Sequence, residues 1–352
     1  MQYWRLIFFP LTILYILITE FRNLLYQLNI KRSFKFSIPI INVGNLSMGG
    51  TGKTPHIEYL VRLLKNNHHL ATLSRGFGRK QRGFIIADDK SNAEQIGDEP
   101  LQFYKKFGHE ITVAVEADRV KGVMDLCYQK EDIDLVLLDD AYQHQAIKPG
   151  FNILLTDYNK PFYKDFVLPV GDLRELRKNK NRADVIVVTK CPDFNSIDKG
   201  KIIKSIKPLK HQEVFFSKIV YNSTITPCFG DDLEINPLTK YAILVTGIAN
   251  PNPLVDFISK RFKILKHVKF SDHYQFNSND IDEIHNLLVK FDEFLPVIIT
   301  TEKDAMRLIG NDLEQKIKHK PWFYQGIKIE IDRQKEFDNK ILNYVQENRR
   351  NY

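Results

Sequence analysis

Ser47-Met48-Gly49-Gly50-Thr51-Gly52-Lys53-Thr54 sets glycines immediately ahead of a lysine and a hydroxyl. That combination can cradle phosphate. Glycines let successive backbone N–H groups turn inward around an anion. A helix opening near Thr54 offers its positive end to the same charge. Lys53 can then reach the β- and γ-phosphates of a nucleotide, and the Thr54 hydroxyl can hold Mg²⁺. The pattern is a Walker A loop with Ser47 in place of its first glycine. The bland alternative is a glycine-rich turn ahead of any helix. An apolar strand before the loop and an amphipathic helix after it favour nucleotide binding.

Such loops work with an acid on a neighbouring strand. Leu135-Val136-Leu137-Leu138-Asp139-Asp140 supplies two, at the end of an apolar run where open α/β sheets bind ligands. Which of Asp139 and Asp140 faces the metal stays open. Asp98, in Gly97-Asp98-Glu99-Pro100, is a third acid, although Asp and Glu before Pro also open ordinary helices. His273, in Ser271-Asp272-His273-Tyr274, is a fourth candidate, weighed against an ordinary structural or exposed histidine.

The elements that must position these residues alternate. Residues 38–43 read as a strand, the turn spans 44–52, and 56–66 is a helix with Ile57, Leu60, Val61 and Leu64 on one face. Strands follow at 111–115, 135–138, 153–155 and 185–188, with a helix at 119–127. Residues 160–182 are rich in Lys and Arg and read as a long surface loop, facing something negative or simply solvated. Residues 213–226 are extended. A second alternation then has strands at 242–245, 267–270 and 297–300 and helices at 253–262, 281–291 and from 304. Residues 322–331 are extended again, before a polar helix. The expected fold class is α/β: a P-loop NTPase-like α/β/α core domain with a second, smaller α/β/α domain joined by extended β linkers. The expected divisions are 1–28, 29–212, 213–237, 238–320 and 321–352.

With 352 residues, 43% apolar and 27% charged, the chain has a globular composition and room for two domains. A net charge of +8 favours anionic partners. Cys127, Cys191 and Cys228 form no C-x-x-C pair, which fits a reducing cytosol rather than a disulfide framework or a zinc site. Residues 6–18 are nearly all apolar, too short a run for a bilayer that needs roughly 20. No small-residue cleavage site follows. Trp4, Arg5, Phe8, Phe9, Tyr15, Phe21 and Tyr26 suit an amphipathic, membrane-associated helix in the interface. Lys31, Arg32 and Lys35 would then meet lipid headgroups. The alternative is a helix packed on its own protein.

Taken together, these pieces resemble the tetraacyldisaccharide 4′-kinase family, the lipid A 4′-kinases. The similar stretches are residues 44–55, Ser74-Arg75-Gly76-Phe77-Gly78-Arg79, Gly97-Asp98-Glu99-Pro100, Asp118-Arg119, Asp139-Asp140-Ala141-Tyr142-Gln143-His144, Leu173-Arg174-Glu175, residues 271–276 and Thr300-Thr301-Glu302-Lys303-Asp304. The family also carries serine at the position of Ser47. It has glycine where this chain has Ala141, a change worth about 1 kcal/mol if the backbone there needs φ > 0. The resemblance implies ATP as substrate, Mg²⁺, and transfer of the γ-phosphate to the 4′-hydroxyl of an anionic lipid A precursor, tetraacyldisaccharide 1-phosphate. The reaction would take place at the cytoplasmic face of the inner membrane. It also implies that Asp98 helps deprotonate that hydroxyl and that His273 pairs with Asp98, the two meeting on domain closure. Arg75, Arg79, Arg119 and Arg174 lie in the matching motifs. Each is expected either to grip a phosphate of lipid or ATP, or to serve as an ordinary salt-bridge arginine.

Two rival readings remain. A membrane-associated P-loop ATPase or GTPase switch would share the loop and the strand acid. Thr189-Lys190-Cys191-Pro192 is similar to the guanine-reading N/T-K-x-D motif, but Pro192 stands where the acid belongs. A nucleic-acid binder would suit the charge, yet no such module is present, so no nucleic acid and no obligate protein partner is expected.

Overall fold

Residues 3–229, 239–272, 274–309 and 313–348 are described by the computed structural model. A 3₁₀ segment (Tyr3–Phe8) runs into α1 (Phe9–Gln27), with Pro10 in the first turn, where its missing N–H leaves no intrahelical bond unmade. This helix is inside out by the standards of a water-soluble surface helix. Polar Thr12, Thr19 and Asn23 are buried against the protein, while Leu14, Leu17, Ile18 and Phe21 face outward. The helical stretch from Trp4 to Gln27 has 24 residues and is long and apolar enough to cross a membrane by length and composition. The uninterrupted apolar run, residues 6–18, is shorter than the helix. The helix continues through Glu20, Arg22 and Asn23 because these point to protein partners: Glu20 pairs with Lys178 at 2.5 Å, and Asn23 and Gln145 are hydrogen-bonded.

The first lobe comprises β1 (Ile40–Asn45), α2 (Lys53–Leu64), β2 (Leu70–Ser74), β3 (Ile85–Ile86), α3 (Ala93–Ile96), α4 (Asp98–Phe107), β4 (Thr112–Val115), α5 (Arg119–Gln129), β5 (Leu135–Asp139), β6 (Phe151–Asp157) and β7 (Val185–Thr189). Then α6 (Lys199–Ile206) leads to β8 (Glu213–Pro227). The second lobe holds β9 (Tyr241–Thr246), α7 (Asn252–Ile258), β10 (Lys263–Lys269), α8 (Ser278–Lys290), β11 (Val297–Thr301), α9 (Glu302–Leu308) and α10 (Glu314–Ile317). The chain returns through β12 (Trp322–Ile331) to α11 (Gln334–Glu347).

Among the described residues the strands form one 12-stranded sheet in the order β10-β9-β11-β12-β8-β7-β6-β1-β5-β2-β4-β3. Only β12–β8 and β4–β3 pair antiparallel. Every residue of β1, β5 and β7 is buried, as a parallel strand covered on both faces requires. Ile41 and Val43 point to a layer made by α2, α4 and α11, while Ile40 faces α5. That alternation is the period-2 signature of a strand.

The extended segment after residue 212 is a strand of the sheet over Glu213–Pro227. Glu213–Phe216 pairs parallel with β7, and the rest of β8 pairs antiparallel with β12 from Ser217↔Ile331 to Pro227↔Phe323. One strand therefore serves both lobes. The basic segment 160–182 also differs from a loop that faces something negative. Phe162, Val167, Val170 and Leu173 are buried, and its cations pair with nearby acids: Arg182 with Glu175 at 2.7 Å and Lys160 with Asp172. Together they form the seat of α1. Arg5 reaches Asp172 at 3.1 Å, the Tyr15 hydroxyl donates to the Arg174 carbonyl at 3.1 Å, and the Val170 N–H donates to Thr12 Oγ1 at 3.3 Å.

Candidate active site

The phosphate loop leaves β1 after Asn45 and enters α2 at Lys53, three residues earlier than the apolar periodicity indicates, because Gly52 caps the helix in the left-handed region (φ 86°). Gly49 is also left-handed (φ 99°), and a Cβ added to it or to Gly50 would meet nothing within 4 Å. The loop thus has open space beside Gly49 and Gly50. It is pinned from below. Asn45 Nδ2 donates to Thr51 Oγ1 at 2.7 Å, Thr189 Oγ1 donates to the Thr51 carbonyl at 2.8 Å, and Lys190 donates to the Gly50 carbonyl. Thr189 and Lys190, which sequence likens to a base-reading motif, are therefore supports of the loop. His56 is a further support, which residue type and spacing do not reveal. Its Nδ1 lies 2.6 Å from the Gly52 carbonyl and its Nε2 3.0 Å from Ser217 Oγ on β8. Only the fold brings Ser217 to it.

The two adjacent acids diverge. Asp139 ends β5, pairs in register with Val43 of β1, and is 2% exposed. Its Oδ1 has no hydrogen-bond partner. Burial, then the nearby Glu99 carboxylate, pushes its pKa well above the usual carboxylate range. Asp140 adopts φ 49° and turns the other way, towards Lys53 at 3.7 Å and Arg174 at 2.8 Å. Burial alone would raise its pKa, but those cations hold it below its ordinary value. The left-handed residue in this turn is thus Asp140. Ala141 lies outside that region, so the penalty expected for replacing glycine there does not arise.

Asp98 opens α4, and its neighbour Glu99 accepts a 3.0 Å hydrogen bond from Thr54 Oγ1. That bond ties the start of α4 to the phosphate loop. Glycine makes a second tie. A Cβ on Gly76 would sit 2.7 Å from the Ile96 carbonyl, and one on Gly97 would sit 2.9 Å from the Phe77 carbonyl. The arginine-bearing turn 75–79 and the turn carrying Asp98 can touch only as glycines. Arg307 Nε, from α9 of the second lobe, donates to Asp98 Oδ2 at 2.7 Å. Glu99 lies in the family-like stretch 97–100 without a role of its own there, and Arg307 is reached only through the fold, 209 residues from Asp98.

The four arginines part ways. Arg75 is exposed, and Arg79 is half-buried with an unpartnered Nη1. Arg174 braces the loop through the Asn45 carbonyl at 3.2 Å as well as Asp140. Arg119 corrects the phosphate-gripping expectation. It is 3% exposed and donates to the carbonyls of Glu116 at 2.8 Å, Ala117 at 3.0 Å and Asp139 at 3.1 Å. It shapes the backbone under Asp139. Its neighbour Asp118 is the cap of α5, accepting from Val120 N–H at 3.0 Å. His273 lies outside the described residues. Among the described residues no group of three or more His, Cys, Asp or Glu is arranged to hold a metal ion by itself.

A family model described as tetraacyldisaccharide-1-P 4′-kinase matches residues 4–346. The chain is 44% identical over 349 residues to a tetraacyldisaccharide 4′-kinase of Flavobacterium johnsoniae, covering 98% of each. It is 41% identical over 360 residues to a tetraacyldisaccharide 4′-kinase of Bacteroides thetaiotaomicron, covering 97% of this chain and 94% of that one. Its fold is similar to the "apo" form of LpxK from Aquifex aeolicus, solved in complex with ATP, with a TM-score of 0.75 and 27% identity over 97% of this chain and 99% of the other. An open phosphate loop, a buried strand acid and a nearby second acid on α4 thus stand in a chain that is similar to these proteins over nearly its whole length, and the chain belongs to the tetraacyldisaccharide-1-P 4′-kinase family.

Proposed function

We propose that this chain transfers the γ-phosphate of ATP to the 4′-hydroxyl of tetraacyldisaccharide 1-phosphate, a step of lipid A biosynthesis, with Asp98 as the base. The observation that carries the reading is the Thr54–Glu99 hydrogen bond, which holds the start of α4 against the phosphate loop. Residues 47–54 would ring the phosphates of ATP with backbone amides, and Lys53 would neutralise the β- and γ-oxygens. Asp98, one residue before Glu99, is then near the γ-phosphate. A sugar hydroxyl is a poor nucleophile, so a carboxylate that accepts its proton as the oxygen attacks phosphorus lowers the barrier. The bond from phosphorus to the β-phosphate oxygen breaks, and ADP leaves. His273 enters as the partner of Asp98 through the family resemblance.

The residues present fit Mg²⁺. Thr54 offers a hydroxyl, and the unpartnered Oδ1 of Asp139 is a buried donor next to a second acid. Mg²⁺ takes one or two protein oxygens and fills its remaining positions with phosphates and waters. When bound, it would draw charge from the bridging phosphate oxygens. Arg75 and Arg79 suit a phosphate of the lipid. The outward apolar face of α1, followed by exposed Lys31, Arg32 and Lys35, suits docking on the anionic cytoplasmic surface of the inner membrane.

The test is transfer of label from γ-labelled ATP to the purified disaccharide 1-phosphate in detergent micelles, comparing wild type with Lys53→Ala, Asp98→Ala and His273→Ala. Label in the lipid with wild type, lost in all three variants, is the expected result. Full labelling by Asp98→Ala would remove the base. ATP hydrolysis without lipid label would favour the membrane ATPase switch.

A further inference from the structure

The helix that carries Asp98 is held at both ends by the second lobe. Asp98, Gln102 and Lys106 lie at i, i+4 and i+8 on α4, hence on one face. At the far end Lys106 meets Glu302, the first residue of α9, at 2.5 Å. At the near end Asp98 meets Arg307, the sixth residue of the same helix. The side chain of Arg307 is 0% exposed, so this is no surface ion pair.

The guanidinium is fixed before it reaches Asp98. Its Nη1 donates to Asp304 Oδ1 at 2.8 Å and to the Gly247 carbonyl at 3.3 Å. Asp304 is in turn held by the Gly247 N–H at 2.9 Å and by Thr301 Oγ1 at 2.7 Å. A Cβ on Gly247 would sit 2.9 Å from Asp304 Oδ1 and 3.4 Å from the Ser271 carbonyl. Glycine there lets the turn after β9, the loop after β10 and α9 converge behind one arginine. That arginine serves two carboxylates, so Asp98 shares its charge and does not hold it alone.

The geometry points to Arg307 as a positioning residue for the transfer. By clamping one oxygen of Asp98, it sets the direction in which the carboxylate meets the acceptor hydroxyl, and it makes the base competent only while the second lobe is docked. This rests on Asp98 being the base. A base must sit within hydrogen-bonding reach of the proton it takes, and a misplacement of about 1 Å can cost roughly 100-fold in rate. A planar fork holds a carboxylate in direction as well as distance, which a lysine does not.

The experiment measures kcat and both KM values for label transfer by the full chain. Arg307→Gln should lower kcat about 100-fold and leave KM for ATP within about twofold, since the phosphate loop is untouched. Arg307→Lys should recover part of that loss. In an Asp98→Asn background Arg307→Gln should change the residual rate by less than about threefold, because the clamp then has no base to aim. Glu302→Gln weakens a second inter-lobe pair while leaving Lys106 on Glu58, and it should shift Tm while leaving kcat within about threefold. A merely structural Arg307 would behave like that substitution. A kcat for Arg307→Gln near wild type, or an equal further loss in the Asp98→Asn background, overturns the proposal. If Arg307→Gln does not fold, Arg307→Lys is compared in both backgrounds, and equal losses in the two overturn it. Full transfer by Asp98→Asn would instead remove the base assignment, and this inference with it.

Discussion

His56 donates from Nδ1 to the carbonyl of Gly52 across 2.6 Å, fixing the residue that caps the phosphate-loop helix. Its other nitrogen accepts from Ser217, so one imidazole spans from the loop to the strand shared by both lobes. Burial pushes its pKa down to about 4. In the unfolded chain the same group titrates near ~6.5. The unfolded state therefore binds more protons between those values, and stability is lost as pH falls from about 6.5 towards 4. Thermal melts should show an acid-side decline of up to about 3 kcal/mol from this group, absent in His56→Phe. That variant should also lose about 1–3 kcal/mol at neutral pH, because Gly52 and Ser217 lose their partner. An unchanged acid limb in His56→Phe would show that other groups govern it.

Glu302 acts in the opposite sense. It is 4% exposed, and burial, then the adjacent Glu58, pushes its pKa above the ordinary range despite Lys106. The folded state binds the extra proton here, so stability declines as pH rises from the ordinary carboxylate value through the raised one, by at most about 1.4 kcal/mol per pH unit. Glu302→Gln should flatten that limb in urea titrations between pH 5 and 8. A steeper limb in the variant would reverse the sign and refute the account.

As the proposed metal-holding acid, Asp139 would trade stability for function. Its buried Oδ1 lacks a partner, and Glu99 crowds it. Asp139→Asn should raise the Tm of the ligand-free protein, worth about 1 kcal/mol, while lowering kcat for transfer at least 100-fold. A lower Tm would mean that the carboxylate is better satisfied than its surroundings imply.

The outward face of α1 is predicted to carry membrane affinity. Leu17 and Phe21 are 61% and 63% exposed, so charging them leaves the fold unperturbed. Leu17→Glu with Phe21→Glu should weaken binding to anionic vesicles at least tenfold, at unchanged circular dichroism and Tm. Vesicle binding at wild-type strength would place the membrane contact elsewhere.

The phosphate loop and the strand acids could be read from residue types alone, because their chemistry is local: glycines before Gly-Lys-Thr, and acids at the end of an apolar run. β12 is legible for the same reason, its ends matching the extended stretch 322–331. β2 escapes the pattern because Thr72 and Ser74 interrupt its apolar run, although both are buried.

Sequence by itself determined the P-loop α/β class, the apolar N-terminal helix and the resemblance that the family match bears out. The tertiary structure alone decided which side chains meet. Arg307 lies 209 residues from Asp98 and Ser217 lies 161 from His56, and no local propensity or spacing encodes such pairs. It also decided that Arg119 is buried among backbone carbonyls while Arg79 is only half-buried. Both are arginines in family-like motifs, and only burial and the carbonyls around Arg119 distinguish it as a scaffold cation.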